Sequence, residues 1–226
     1  DRRKAMLQDL AVLTGASAGT QVGSEQVGSY SHAVIVNGNA LSTVDLHPAA
    51  FMMSGAMSSD DLQQGGWGYT YSGFHALVWS GSSSSYVDLH PRGFMFSYCF
   101  GVHNGQQVGF AENQSYFVTA SHAMLWTGSA ASVVDLHAGP FVFSRALGVH
   151  DGEQVGYSSS LAYPVGEWQG YGYHTTSHAI RWAGTAASAV DLNPVGYAAS
   201  EALATNGLQQ GGWGYLPGVL GITTPS

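Results

Sequence analysis

Apolar and polar residues alternate along this chain in short runs, and small turn-forming residues end each run. Phe96 to Val102, Gln107 to Phe110, His122 to Trp126 and Val134 to Leu136 are successive runs of this kind, separated by Asn104-Gly105 and by Gly, Ser and Ala clusters. Runs of this length, with no helical period between them, predict β-strands throughout. The chain is therefore expected to be all-β.

The runs repeat. Val-Asp-Leu occurs at Val44, Val87, Val134 and Val190, and each copy is preceded by a His-Ala pair, at His32, His75, His122 and His178. Trp79, Trp126 and Trp182 stand four residues after three of those histidines, with Val36 in the first copy. A Gln followed two residues later by Gly recurs at Gln26, Gln64, Gln107, Gln154 and Gln210, at spacings of 38, 43, 47 and 56. Small residues precede each Gln: Ala16, Ser54, Ser97, Ser144 and Ser200, then Ala18, Ala56, Cys99, Ala146 and Ala202. Asp9-Leu10 supplies a fifth Asp-Leu. Each unit reads as four strands: a small-residue strand, Gln-x-Gly-aromatic, His-Ala-x-x-Trp, and Val-Asp-Leu. Units of about 45 residues match propeller blades, so the expected architecture is one domain over residues 1–226, a five-bladed β-propeller of four-stranded blades. The C-terminal copy stops after its second strand, and Met6 to Leu10 reads as a fourth strand without the other three. Together they predict a ring closed by a blade split between the termini, which removes exposed edges. An open sandwich or a solenoid would not need such complementary ends. Crowding near the axis assigns the small-residue strand as innermost and Val-Asp-Leu as outermost. Cys99 then reads as a small buried residue.

Strands alternate in direction, so the loops that begin at His47, His90, His137 and Asn193 share one face with the loops that end at His32, His75, His122 and His178. His103 and His150 fall in turns on the other face. The distance from Gln to His grows from 6 to 11, 15 and 24 residues. The longest loop, 158–177, carries Tyr163, Glu167, Trp168, Tyr171, Tyr173 and His174. Variable loops on a rigid scaffold are where binding specificity concentrates.

His-Ala-x-x-Trp-x-Gly, Val-Asp-Leu, Ser-x-Ala and Gly-x-Gln-Val-Gly-aromatic together resemble an extracellular repeat family named for its His-Ala-Phe motif. The clearest copy runs from His122 through Asp135-Leu136 and Ser144 to Gln154-Val155-Gly156-Tyr157. This chain departs from the motif at its third residue, which is Val, Leu, Met or Ile, and a His usually follows Asp-Leu. The resemblance implies secretion and a propeller-like fold. It implies no established activity and transfers no catalytic residue. Some five-bladed animal lectins are similar in expected architecture, but not in motif.

Composition narrows the function. Only 9% of the 226 residues are charged, with Lys+Arg 6 against Asp+Glu 14. Beyond Arg2, Arg3 and Lys4 the basic residues are Arg92, Arg145 and Arg181. Nucleic-acid binding needs basic residues to neutralise phosphates, so it is not expected, and neither is a polybasic membrane anchor. No apolar run has the length of a membrane span. A single cysteine excludes an internal disulfide framework. No signal peptide is visible at the N-terminus, and the missing initiator Met suggests processing or trimming; the protein is expected to be secreted and monomeric.

Ten histidines in so uncharged a chain suggest a metal or acid–base site. However, seven of them occupy two repeating slots, and repetition by blade favours structure: a His such as His32 is placed to pair with Asp45 on the adjacent strand. The five repeated aspartates (Asp9, Asp45, Asp88, Asp135 and Asp191) read as mostly structural too.

Three functions follow as expectations. The first is a secreted binding module for carbohydrate or another polar polymer, using Tyr163, Trp168, Tyr171, Tyr173, His47, His90 and His137. The second is a hydrolase or lyase using His174, His178, Glu167 and Tyr171, with Tyr173 beside them and His137 or His90 opposite. The third is a structural or protein-interaction domain of a larger secreted protein. No cofactor is expected. A divalent metal, if bound, would fall to His47, His90 and His137.

Overall fold

The structure is a computed structural model that describes residues 12–17, 20–37, 43–60, 62–114, 119–160 and 177–217. The chain is all-β. Its strands fall into consecutive antiparallel groups, each laid down in chain order. The first group is β1 (Val12–Ser17), β2 (Thr20–Val27), β3 (Tyr30–Asn37) and β4 (Thr43–Asp45). The second is β5 (Met53–Ser59), β6 (Gln64–Thr70), β7 (Gly73–Trp79) and β8 (Val87–Asp88). The third is β9 (Phe96–His103), β10 (Gln106–Gln114), β11 (Thr119–Trp126) and β12 (Val134–Asp135). The fourth is β13 (Phe143–His150), β14 (Glu153–Ser159), β15 (Ser177–Trp182) and β16 (Val190–Asp191). The fifth begins with β17 (Ala199–Thr205) and β18 (Gln210–Tyr215). A single parallel bridge, Ser121 to Phe143, joins the third group to the fourth. Among the described residues no helix is long and apolar enough to cross a membrane.

The core lies between successive groups. Val22, Ala33, Ile35 and Leu46 of the first pack on Ala56, Leu77 and Trp79 of the second. Ala76, Val78 and Leu89 of the second pack on Cys99, Met124 and Trp126 of the third. Val108, Ala123 and Leu125 of the third then meet Ala146, Ile180 and Trp182 of the fourth. Alternate residues of one strand therefore serve two interfaces: Met124 and Trp126 face backwards, Ala123 and Leu125 forwards. This is the period of two expressed in a sheet buried on both faces. The indole N–H groups of Trp79, Trp126 and Trp182 meet no acceptor among the described residues, so these side chains contribute bulk. Cys99 is fully buried, and burial pushes its thiol up to about 12, as befits an inert packing residue.

The first strands lie next to one another in series: β1 by β5, β5 by β9, β9 by β13 and β13 by β17. Each carries one bulge at the same place, skipping Thr14, Met57, Phe100, Leu147 or Leu203 in the ladder. The bulges correct the repeat register. Gln64, Gln107 and Gln154 pair with Trp79, Trp126 and Trp182, and the residue that pairs with Val36 is Gln21, not Gln26. Gln26 sits at the far end of β2, opposite Ser31. Both glutamines precede a glycine by two positions, which is why the sequence pattern admitted the wrong one. Leu13, rather than Ala18, then occupies the place of Ala56, Cys99, Ala146 and Ala202. Asp9 consequently stands 12 residues before the first repeat Gln, where Asp45 stands 19 before Gln64. Residues 1–11 lie outside the described residues.

The glycine of Gln-x-Gly now has a cause. A Cβ on Gly66, Gly109, Gly156 or Gly212 would overlap the carbonyl oxygen of Gly55, Tyr98, Arg145 or Glu201 on the adjacent first strand. None of these four has a positive φ, so the demand is for space alone. Gly109→Ala and Gly156→Ala should each destabilise by about 2–4 kcal/mol, because the clash is with backbone and cannot relax. Urea unfolding measures this; an increase in stability, the usual sign of Gly→Ala at an ordinary φ, would contradict the account.

Candidate functional site

Because the fourth strands are only two or three residues long, they pair with just part of each third strand. Ala33, Ala76, Ala123 and Ala179 still give their carbonyls to Leu46, Leu89, Leu136 and Leu192. Their N–H groups have no strand partner on that edge. A serine from the next group accepts them: Ala33 N donates to Ser54 Oγ (2.9 Å), Ala76 N to Ser97 (2.8 Å), Ala123 N to Ser144 (2.9 Å) and Ala179 N to Ser200 (3.1 Å). Each serine also meets the loop that precedes it, through Nδ1 of His47 (2.9 Å), His90 (2.8 Å) or His137 (2.8 Å). In the fourth loop Ser200 donates to Asn193 Oδ1 at 2.7 Å.

That asparagine reveals the tautomer of the histidines. The serine oxygen already accepts from the alanine, and in the fourth copy its proton goes to Oδ1 of Asn193. The Asn193 Nδ2 group then donates to the carbonyl of Tyr197 at 3.3 Å. His90 and His137 hold Nε2 against the carbonyls of Phe94 (3.1 Å) and Phe141 (3.0 Å) in the same way. Nδ1 therefore accepts and Nε2–H donates, and the ring is neutral. Burial lowers the pKa of His47, His90 and His137, the neighbouring slot histidine lowers it further, and Asp45, Asp88 and Asp135 oppose this.

The His-Ala histidines do the reverse. Nδ1 of His32, His75, His122 and His178 lies 2.9, 2.7, 2.7 and 2.6 Å from Oδ2 of Asp45, Asp88, Asp135 and Asp191. A carboxylate only accepts, so here Nδ1–H donates. The pairing expected between neighbouring strands is present in all four copies. The other carboxylate oxygen takes the N–H of His47, His90, His137 or Asn193. Burial opposes ionisation of Asp88 and Asp135, but these bonds outweigh it and hold both below the usual carboxyl range. In the three copies that carry both histidines the rings stack, with centroids 3.9, 4.1 and 4.2 Å apart.

His47, His90 and His137 do not converge on one point. Both ring nitrogens of His90 and His137 are already engaged, which leaves no lone pair for a metal. His178 belongs to the repeated His–Asp pairs. Tyr163, Glu167, Trp168, Tyr171, Tyr173 and His174 lie outside the described residues.

A different set breaks the repeat at the same end of the strands. The residue after the repeat serine is Gly55, then Tyr98, Arg145 and Glu201. Arg145 lies with its guanidinium carbon 3.9 Å from the Phe110 ring centroid and 4.7 Å from that of Phe143. Its Nη2 donates to Glu112 Oε2 at 3.3 Å. Glu112 is 2% exposed, and burial pushes its carboxyl up against the pull of Arg145. Burial pushes Glu201 up to about 7, opposed by a hydrogen bond with Ser177 and the charge of Arg145. The Tyr98 phenol is raised by burial and by Glu112, and burial raises that of Tyr157 to about 12. An aromatic band leads away from this charged set: Tyr98 stacks on Phe110 (5.0 Å) and Phe74 (5.2 Å), and Phe74 meets Tyr69 (4.8 Å) and Trp67 (5.4 Å). Trp67, Tyr69, Phe74 and Tyr98 are half-buried. Sequence reasoning passed over this set because it followed what recurs. The available signal was an arginine within a small-residue strand of a chain almost without cations.

No family model, curated protein or solved structure matches the chain.

The serine lock gives two measurable outcomes. Ser144→Ala strands the Ala123 N–H and unties His137, and should cost about 1–3 kcal/mol. His137→Asn should keep the fold, since Asn193 already fills the equivalent slot. The neutral slot histidines also set a pH dependence. Their native pKa lies below the unfolded value of about 6.5, so the unfolded chain binds more protons in acid. Stability is complete above about pH 6.5 and falls as pH drops towards the native values. The combined His47→Asn, His90→Asn and His137→Asn variant should flatten that fall; thermal melts from about pH 7.5 to 5 would show it.

Proposed function

We propose that the chain is a five-bladed β-propeller, closed by a blade shared between the two ends of the chain, and that it serves as a secreted module binding carbohydrate or a similar polar polymer. Support for the ring comes from the five bulged first strands lying side by side and from cores placed between successive sheets. The repeat motifs, similar to those of the extracellular His-Ala-Phe family, support secretion. A monomer accords with a ring complete in one chain.

The observation that carries the binding reading is the half-buried aromatic band ending on Arg145, Glu112 and Glu201. A pyranose has an apolar face, which stacks on aromatic rings, and hydroxyls, which both donate and accept. Trp67, Tyr69, Phe74 and Tyr98 offer the faces. Arg145, half-buried and held by the buried Glu112, offers donors, and Glu201, which lines a pocket with Tyr197 and Trp213, offers a carboxyl that accepts and, near neutral pH, donates. The repeated histidines, being spent on structure, leave the binding role to this set and to the aromatic 158–177 loop.

Glu201 favours a second reading, a hydrolase. A carboxyl that retains its proton near neutral pH is suited to general-acid work, and Glu201 joins His174, which lies outside the described residues, as a candidate acid.

A glycan array followed by titration calorimetry tests the binding reading. Trp67→Ala, Tyr98→Ala and Arg145→Ala should each weaken the ligand found by about tenfold or more, a loss of about 1.4 kcal/mol. Absence of any glycan ligand, or affinity untouched in all three variants, would overturn it. Turnover of the bound glycan that Glu201→Gln abolishes without loss of affinity would establish the hydrolase instead.

A further inference from the structure

We propose that His103, His150 and Asp151 form a binding site for a transition-metal dication of the zinc or copper type, at the opposite end of the strands from the aromatic and charged set. The proposal is independent of the ligand reading above.

His103 closes β9 and His150 closes β13, at the same step of adjacent first strands. Their rings stack with centroids 4.0 Å apart and planes 17° apart. Asp151 occupies the hairpin turn with φ +45°, a left-handed conformation that a non-glycine residue rarely adopts. From there its Oδ1 lies 3.2 Å from His103 Nε2, and its Oδ2 lies 3.4 Å from His150 Nδ1. One donor atom from each of the three residues falls within a set no more than 4.8 Å apart.

Three observations separate this cluster from the structural histidines. It does not recur: the equivalent positions are Asp60 in the second repeat and Asn206 in the fifth. It lacks the serine and carbonyl partners that occupy the repeated rings, and His150 Nδ1 is buried without a hydrogen bond among the described residues. The neighbouring turn approaches that nitrogen at Gly207, a glycine by its φ of +81°, so no side chain of that residue covers it. Asp60, whose Oδ2 accepts the N–H of Asn104 at 2.9 Å, adds negative charge to the adjoining turn.

Two imidazoles and one carboxylate are a borderline donor set. They suit zinc, copper or nickel rather than calcium or magnesium, which prefer oxygen alone. Metal–nitrogen bonds of about 2.0–2.1 Å require the donors to close up by side-chain rotation. A ring's lone pair lies in its own plane, so loading must also turn the two imidazoles out of their stack. Three protein ligands leave a coordination position for water.

The test is calorimetric titration of the full chain, stripped with chelator, with Zn²⁺ and separately with Cu²⁺. One saturable equivalent is expected at about pH 7.5, with weaker binding in acid, where protons compete with the metal for its ligands. The His103→Gln/His150→Gln double variant should bind at least about tenfold more weakly, and Asp151→Asn should lose affinity as well. Melting temperatures without metal verify that the variants fold. If one does not, imidazole NMR of the wild type decides: Zn²⁺ must shift the His103 and His150 resonances and leave those of His90 and His137 in place. Absence of saturable binding, unchanged affinity in the double variant, or metal shifts confined to other histidines would each overturn the site.

Discussion

A hydroxyl oxygen in the wrong sheet holds this fold together. Ser54, Ser97, Ser144 and Ser200 sit on the first strand of one group and accept the backbone N–H of an alanine on the third strand of the group before. The need arises from the outermost strands, which end before they reach those alanines. A buried N–H left unpaired costs about as much as a hydrogen bond is worth, so something must arrive from outside the sheet. Once the serine fills that place, its own proton needs a destination, and the loop histidine supplies one. That histidine's backbone N–H goes to the aspartate ending the outermost strand, and the aspartate's other oxygen takes the ring N–H of the second histidine. Much of the repeating sequence is thus the consequence of one unsatisfied donor.

The two repeated histidines look alike in sequence and are opposite in chemistry. His90 accepts at Nδ1, as the serine requires; His75 donates there, as the aspartate requires. Stacking the pair about 4 Å apart in a half-buried setting is tolerable when one ring stays neutral, and burial keeps the loop ring so. Asn193 shows what the loop slot selects. It demands an acceptor and a donor at fixed separation, and the aromatic ring is dispensable.

Much of the fold was legible because its constraints recur. Strand order, the His–Asp pairs, the buried tryptophans and the place of Cys99 all follow from positions that each repeat must satisfy. The register of the first repeat was not legible, since Gln21 and Gln26 both precede a glycine by two and only the bulge separates them. The reason for that glycine was hidden as well, because it answers to a carbonyl on another strand. The charged set was missed for the converse reason. Tyr98, Arg145 and Glu201 occupy one structural position with three unrelated residues, and no comparison of motifs brings them together. Glu112 joins them only through the register of β10 against β9 and β11.

The outermost strands have a further consequence beyond the alanines they fail to cover. A sheet edge is a row of open donors and acceptors, and a second molecule can extend it. Many proteins guard such edges with lysine, yet only 9% of this chain is charged. With two or three residues at each outer edge, there is too little ladder for a foreign strand to grip. The residue that ends each one, Asp45, Asp88, Asp135 or Asp191, also places a carboxylate where the intruder would have to sit. In a chain with so few charged residues, brevity guards these edges, and charge is spent only where each edge stops.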